Sequence, residues 1–230
     1  MREIVLDTET TGLDPNQGHR LVEVGCVELL NRIPTGATFH AYLNPDRDMP
    51  AEAFAVHGLS LEFLKGHRRF HEICDEFLAF IGDDTPLIIH NASFDHAFLC
   101  AELKRVERGL IVRDRLVDTL AMARRKFSAG PYNLDALCGR FGIDNSRRTK
   151  HGALLDAEIL AEVYLELIGG RQAQLGLAES VEQRPRGSDG MIVRRERPVA
   201  LAARLTDADR AAHREFVATL GESAAWRNYL

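Results

Sequence analysis

Near the start of the chain, apolar and polar positions repeat with a period of two. Ile4-Val5-Leu6 is an apolar run that ends at Asp7 and leads into Gly12-Leu13-Asp14-Pro15, the pattern of a central strand feeding a loop. Residues 20–30 predict a second strand, with Val22, Val24 and Cys26 on one face and Leu21, Gly25, Val27 and Leu29 on the other. Pro34 and Gly36 mark a turn ahead of a third strand near residues 37–43, and the short links predict an antiparallel start.

The period then changes to 3.6. Phe70, Ile73, Cys74, Phe77, Leu78 and Ile81 fall on one helical stripe, which the run from Gly82 to Pro86 ends. Leu87-Ile88-Ile89 is wholly apolar and predicts a buried parallel strand, followed by a helix over about residues 95–108. A short strand at 116–117 and helices near 119–127, 134–141 and 153–168 complete a mixed sheet flanked by helices, an α/β layered domain spanning residues 1–170. Beyond it, residues 179–190 are polar and rich in Pro, Gly and Ser, the composition of a flexible linker that extends over 179–197. The last segment, 198–230, predicts a small helical piece: Thr206 and Asp209 form a capping box, and Ala212, Phe216 and Leu220 share one face.

Composition adds limits. The 230 residues are 45% hydrophobic and 27% charged, as expected of a globular domain with a proper core. Asp7 interrupts the first residues too early for a signal peptide, and no apolar run is long enough to span a bilayer, so the expected location is the cytoplasm, with no membrane contact. Cys26, Cys74, Cys100 and Cys138 lack metal-binding spacing and sit among apolar neighbours, which predicts buried, reduced thiols. In such a protein the glycosylation sequon Asn91-Ala92-Ser93 is accidental.

The acidic residues carry the candidate chemistry. Asp7 and Glu9 are two apart at a strand end, so both side chains leave the same face. At about 4 Å and an effective dielectric near 20, their repulsion is about 4 kcal/mol unless a cation lies between them. The alternative is that both face solvent, which is the better reading of an arbitrary D-x-E but fits poorly with a central strand. Asp156 heads the apolar stripe of Leu160, Val163 and Leu167, and a carboxylate on a buried face needs a metal or a paired cation. Asp95 follows the buried run 87–89, where ligands gather in α/β sheets, although the dipole at a helix start would also favour it. His151 lies roughly 140° around a helix from Asp156, and Gly152 places it on the preceding loop. A lone histidine there is more often structural or solvated.

With their neighbours these residues read Asp7-Thr8-Glu9-Thr10-Thr11-Gly12-Leu13, His90-Asn91-Ala92-Ser93-Phe94-Asp95 and His151-Gly152-Ala153-Leu154-Leu155-Asp156-Ala157. Together they resemble the three ordered motifs of the DEDDh exonucleases. Each motif alone is weak, but three in order with H-x-x-x-x-D spacing are specific. The resemblance covers residues 1–170 and implies a ribonuclease-H-like fold acting on DNA 3′ ends, single-stranded or frayed. It implies that Asp7, Glu9, Asp95 and Asp156 bind two divalent metal ions, Mg2+ or Mn2+, and that His151 takes a proton from the attacking water. It also implies that groups around Thr8, Glu9, Thr10, Leu13, His57 and Asn91 hold the terminal nucleotide.

Within that family, Gly18-His19-Arg20-Leu21-Val22-Glu23-Val24-Gly25 and Val56-His57-Gly58-Leu59-Ser60 are most similar to the proofreading subunits of bacterial replicative polymerases. Residues 171–178 contain Gln172-Ala173-Gln174-Leu175-Gly176-Leu177, which resembles a sliding-clamp-binding peptide with Gln172, Leu175 and Leu177 as its contacts. Leu177 stands where Phe is commoner, which implies weak clamp affinity, and an ordinary helix end running into a linker is the alternative. The C-terminal segment with Trp226 is similar to the part of those subunits that docks on the polymerase catalytic (alpha) subunit; it could instead fold back on its own domain. A small theta-like subunit is a further partner that the resemblance implies. Residues 1–170 carry 26 acidic against 19 basic side chains within a net charge of -5, so counterion release helps little on a polyanion and metals or partners must hold it. Two rival functions remain: a ribonuclease of the same family, and a non-enzymatic adaptor between clamp and polymerase.

Overall fold

The apolar run that opens the chain forms the middle of a five-stranded sheet. Strand β1 (Arg2–Thr10) pairs antiparallel with β2 (Leu21–Leu30), which pairs antiparallel with β3 (Ile33–Tyr42). On its other side β1 pairs parallel with β4 (Leu87–Ile89), and β4 with β5 (Leu116–Asp118), giving the order β3-β2-β1-β4-β5. This computed structural model describes residues 1–169, 205–221 and 226, and divides into two units, residues 1–175 and 176–230. Among the described residues, no helix is long and apolar enough to cross a membrane.

Alternation along β1 builds a core on each face. Ile4 and Leu6 pack with Val24, Cys26, Leu87 and Ile89 under α3 (Phe70–Ile81) and α4 (Ala92–Arg105), which contribute Phe70, Ile73, Phe77, Phe98 and Leu103. Val5 packs with Val27, Leu29 and Ile88 under α5 (Thr119–Lys126), α6 (Leu134–Phe141) and α7 (Ala153–Leu167). Each large side chain fully buried in this way contributes about 1.5–3 kcal/mol, so the two stripes are enough to hold the helices on the sheet. The sheet is thus mixed and flanked by helices on both faces, the ribonuclease-H-like α/β fold expected from the sequence. All four cysteines are free thiols; three are buried and Cys100 is half-buried.

Three expectations need correction. Leu21 joins the core of Val24 and Cys26, not that of Val27, because the register with β1 shifts between Glu9 and Thr10 and Val22 is the extra residue. A bulge of this kind inverts the alternation beyond it. Pro34 and Gly36 lie within β3, and the turn is instead the pair Asn31-Arg32, both at positive φ. That two-residue geometry suits the twist of a hairpin. The helix expected to begin near Asp95 starts at Ala92, which places Asp95 in its first turn. Two short helices had no signal in the hydrophobic pattern: α1 (Ala51–His57) and α2 (Leu61–Leu64) each bury one residue, His57 and Leu64.

The face of β1 that carries Asp7 and Glu9 also carries Glu3, whose carboxylate accepts from the Tyr164 hydroxyl at 2.7 Å near the far end of α7. Helix α7 therefore runs back along β1, with Tyr164 beside Glu3 and Asp156 toward Asp7 and Glu9. Its first turn sits on Gly25, the residue directly opposite Asp7 in the sheet. A Cβ at Gly25 would lie 2.2 Å from the Leu154 nitrogen and 2.3 Å from the Ala153 carbonyl carbon. Only glycine allows that approach. At the other edge of the domain, Arg20 donates to both oxygens of the buried Glu102 at 2.5 and 2.8 Å and ties the start of β2 to α4.

In the second unit, α8 (Asp207–Thr219) opens with the expected capping box: the Thr206 hydroxyl accepts from the Asp209 N–H at 3.2 Å, and the Asp209 carboxylate accepts from the Thr206 N–H at 2.9 Å. Phe216, Leu220 and Trp226 are exposed, and the Trp226 ring meets His213 edge-on at 6.5 Å. Gln172, Leu175, Leu177 and the linker 179–197 lie outside the described residues.

Replacing Gly25 with alanine pushes the first turn of α7 off the sheet. The expected cost is roughly 1–3 kcal/mol, read as a lowered midpoint in urea denaturation; a wild-type midpoint would contradict the close contact.

Candidate active site

Four carboxylates meet where β1 ends. The strand presents Asp7 and Glu9 to the α7 side, α7 contributes Asp156 from its first turn, and Asp95 arrives from the first turn of α4, which covers the opposite face. Thr8 points to that opposite face, and its hydroxyl donates to the Asp95 carboxylate at 2.7 Å. This bond brings Asp95 over the strand end to join groups from the other side of the sheet. His151 lies on the loop before α7, half exposed, with a ring nitrogen 3.5 Å from Asp156. Ligand atoms of Glu9, His151 and Asp156 all lie within 4.8 Å of one another.

The enclosure shows in the acidities. Burial pushes the Glu9 carboxyl up to about 8, with Asp156, Glu23 and Asp95 adding repulsion. Burial likewise lifts Asp95 to about 7, against the pull of its hydrogen bond from Thr8. Asp7, though partly accessible to solvent, is raised well above the usual range, first by desolvation and then by Asp95, Glu9 and Asp156. His151 is lowered by desolvation and by the adjacent Arg148 charge. Its imidazole is therefore neutral at neutral pH.

Two adjoining clefts open here. One, of about 320 Å³, is walled by the four carboxylates with His90, Asp135, Arg148 and His151. The other, of about 470 Å³, is lined by Thr8, Glu9, Thr10, Leu13, His57 and Phe94 among others, and shares Thr8, Glu9 and Phe94 with the first. Of the residues expected around a terminal nucleotide, Thr8, Glu9, Thr10, Leu13 and His57 thus line one cleft. The His57 ring accepts from the Leu59 N–H through Nδ1 at 3.0 Å, which leaves its own N–H on Nε2. Asn91 heads α4 at positive φ, exposed and outside both walls, and its N–H donates to Asp118 at 3.2 Å.

The residues present suit hard divalent cations. The donors are carboxylate oxygens, desolvated and crowded so that the acid groups of Asp7, Glu9 and Asp95 are raised, and a cation relieves both strains. Sequence reasoning gave no role to Arg148, a cation in this wall. Its guanidinium lies against Asp156, donating at 2.5 and 2.7 Å. The signal was available in Arg147-Arg148, a cationic pair three residues before His151 in an acidic domain.

The sequence model of the RNase_T family, described as an exonuclease, matches residues 4–164. The chain is 48% identical over 227 residues to the DNA polymerase III subunit epsilon of Rickettsia felis, covering 97% of this chain and 99% of that one. It is 43% identical over 241 residues to the subunit of the same name from Escherichia coli, covering 98% and 97%. The chain belongs to the epsilon-subunit family of exonucleases. In fold, this epsilon-family chain is similar to exonuclease X in complex with 5′ overhanging duplex DNA, with a TM-score of 0.57 at 21% identity over 73% of this chain and 91% of that one.

Carboxylates whose pKa the fold raises stabilise it while protonated. The contribution from Glu9 and Asp95 is complete below about pH 4 and is lost as pH rises through about 7 to 8. In EDTA the melting temperature should therefore fall between about pH 5 and pH 8, and Mg2+ should raise it more at the higher pH. Equal gains from Mg2+ at both pH values in calorimetry would contradict the crowding.

Proposed function

We propose that this chain proofreads for a replicative DNA polymerase, removing mispaired nucleotides from primer 3′ ends with Asp7, Glu9, Asp95, Asp156 and His151 as its catalytic set. It is a metal-dependent 3′–5′ exonuclease of the epsilon-subunit family. The observation that carries the site assignment is the meeting of four desolvated carboxylates from three elements beside a neutral histidine.

The four carboxylates would hold two divalent ions, Mg2+ or Mn2+, which when bound neutralise charge developing on the phosphate. Thr8, Thr10, Leu13 and His57 would seat the terminal nucleotide in the larger cleft, leaving its phosphate over the carboxylates. His151 would remove a proton from the attacking water, a task that requires the unprotonated ring favoured by its desolvation. The water oxygen bonds to phosphorus, the bond to the preceding 3′ oxygen breaks, and a nucleoside 5′-monophosphate leaves. Asn91 has the weakest support among the nucleotide contacts, since it stands outside both clefts.

The tail would act as a tether in the cytoplasm. Residues 171–178 would engage the sliding clamp through Gln172, Leu175 and Leu177, and residues 198–230 would dock on the alpha subunit with Trp226 as an anchor; the exposed Phe216 and Leu220 support the second reading. A theta-like subunit is a further partner in this scheme. Because the catalytic domain is acidic, tethering would raise its effective concentration at the primer end.

Asp7→Ala and Asp156→Ala should each abolish Mg2+-dependent shortening of a 5′-labelled, mispaired primer while circular dichroism stays native, and His151→Ala should slow it roughly 10²-fold. Wild-type rates in these variants would refute the site, and preference for a matched RNA would reassign the substrate. Deleting residues 171–230 should spare excision from short free oligonucleotides and reduce it within the polymerase complex; equal loss in both would argue against a tether.

A further inference from the structure

Arg148 sits on the loop between α6 and α7, with a side chain only 7% exposed. Its Nε donates to Asp156 Oδ1 at 2.5 Å and its Nη2 to Asp156 Oδ2 at 2.7 Å. Nη2 also lies 2.9 Å from His151 Nδ1 and 3.4 Å from Nε2, and Nη1 donates to Asp135 Oδ2 at 2.8 Å. Two consequences follow from this placement. Both oxygens of Asp156 accept from Arg148, so a metal ion at Asp156 meets a guanidinium already held on the same carboxylate, and the two positive charges repel. Nη2 lies close to both ring nitrogens of His151, so the guanidinium rests against the imidazole and sets a positive charge beside the ring that would take a proton from water, which disfavours that step.

We infer that Arg148 is a latch: its guanidinium holds Asp156 and His151 in a closed arrangement, and divalent metal opens the site by displacing it onto Asp135. This rests on the metal site proposed above. Asp135, in the first turn of α6 and 55% exposed, is the retreat partner. It keeps the guanidinium tethered once Asp156 is surrendered, so that opening the latch does not strand a buried cation. The exchange is of like for like, since both occupants bring positive charge to the same carboxylate. Arg148 thereby sets the metal concentration at which the histidine becomes available.

Mg2+ binding to the full chain, measured calorimetrically without substrate, tests the latch. Arg148→Gln should bind roughly tenfold tighter or more. Arg148→Lys keeps the charge but not the two-pronged grip, and should move most of the way toward Gln. Asp135→Asn, at the exposed rim of the same cleft, should weaken binding by strengthening the hold on Asp156, and this effect should vanish in the Arg148→Gln background. The latch is overturned if Arg148→Gln binds no tighter than wild type, if Arg148→Lys behaves as wild type, or if the Asp135→Asn effect persists without Arg148. Absence of Mg2+ binding by wild type and all variants would instead overturn the metal site itself, and the latch with it.

Discussion

Mutual repulsion among Asp7, Glu9, Asp95 and Asp156 is the constraint around which this domain is arranged. Carboxylates in water avoid one another; here the fold encloses them until Glu9 and Asp95 take up protons near neutral pH. Such an arrangement raises the energy of the folded chain, and it persists because the cores on either side of the sheet over-determine the positions of the elements that carry the acids. A cation placed among them recovers what crowding costs. Stability and chemistry are linked at this point, since the same desolvation that disfavours four bare charges makes the site attractive to hard ions.

Three devices deliver the carboxylates to one place. Alternation along β1 sends Asp7 and Glu9 to the α7 side. Gly25 lets the first turn of α7 lie on the strand next to Asp7, so that Asp156 arrives with its helix start rather than on a long side chain. The Thr8 hydroxyl draws Asp95 across the end of the strand from the other layer, while Arg20 and Glu102 fix α4 to the sheet. The second and third devices are close approaches between elements far apart in sequence. His151 and Arg148 occupy a loop that borders the cluster, a place where a group can move without disturbing the framework.

An acidic catalytic domain and a polyanionic substrate are an awkward pairing. In the proposed reading the larger cleft would meet it with short polar side chains, Thr8, Thr10 and Thr11, and apolar walls from Leu13 and Phe94, so that contact with a nucleotide need not rely on net charge. Relatives of nearly the same length carry the name of a polymerase subunit, which fits a nuclease whose substrate is delivered by its company rather than captured by its own field.

Much of this was determined by the sequence alone. Apolar runs marked β1 and β4 and a period-3.6 stripe marked α3, because burial in a sheet or on a helix stripe leaves a local imprint in the order of residues. The spacing of Asp7 and Glu9 fixed their common face, and Asp156 at the head of an apolar stripe pointed inward. What only the tertiary structure decided depends on partners distant in the chain. The shift at Val22, which moves Leu21 to the other core, belongs to the pairing of β2 with β1 and not to β2 itself. Helices α1 and α2 are largely exposed, so no stripe announces them. Arg148 stands in the sequence beside Arg147 and near His151, and only the path of its loop lays it on Asp156. Local composition records which side chains are buried, whereas the identity of the neighbour that buries or neutralises them is a property of three-dimensional contact.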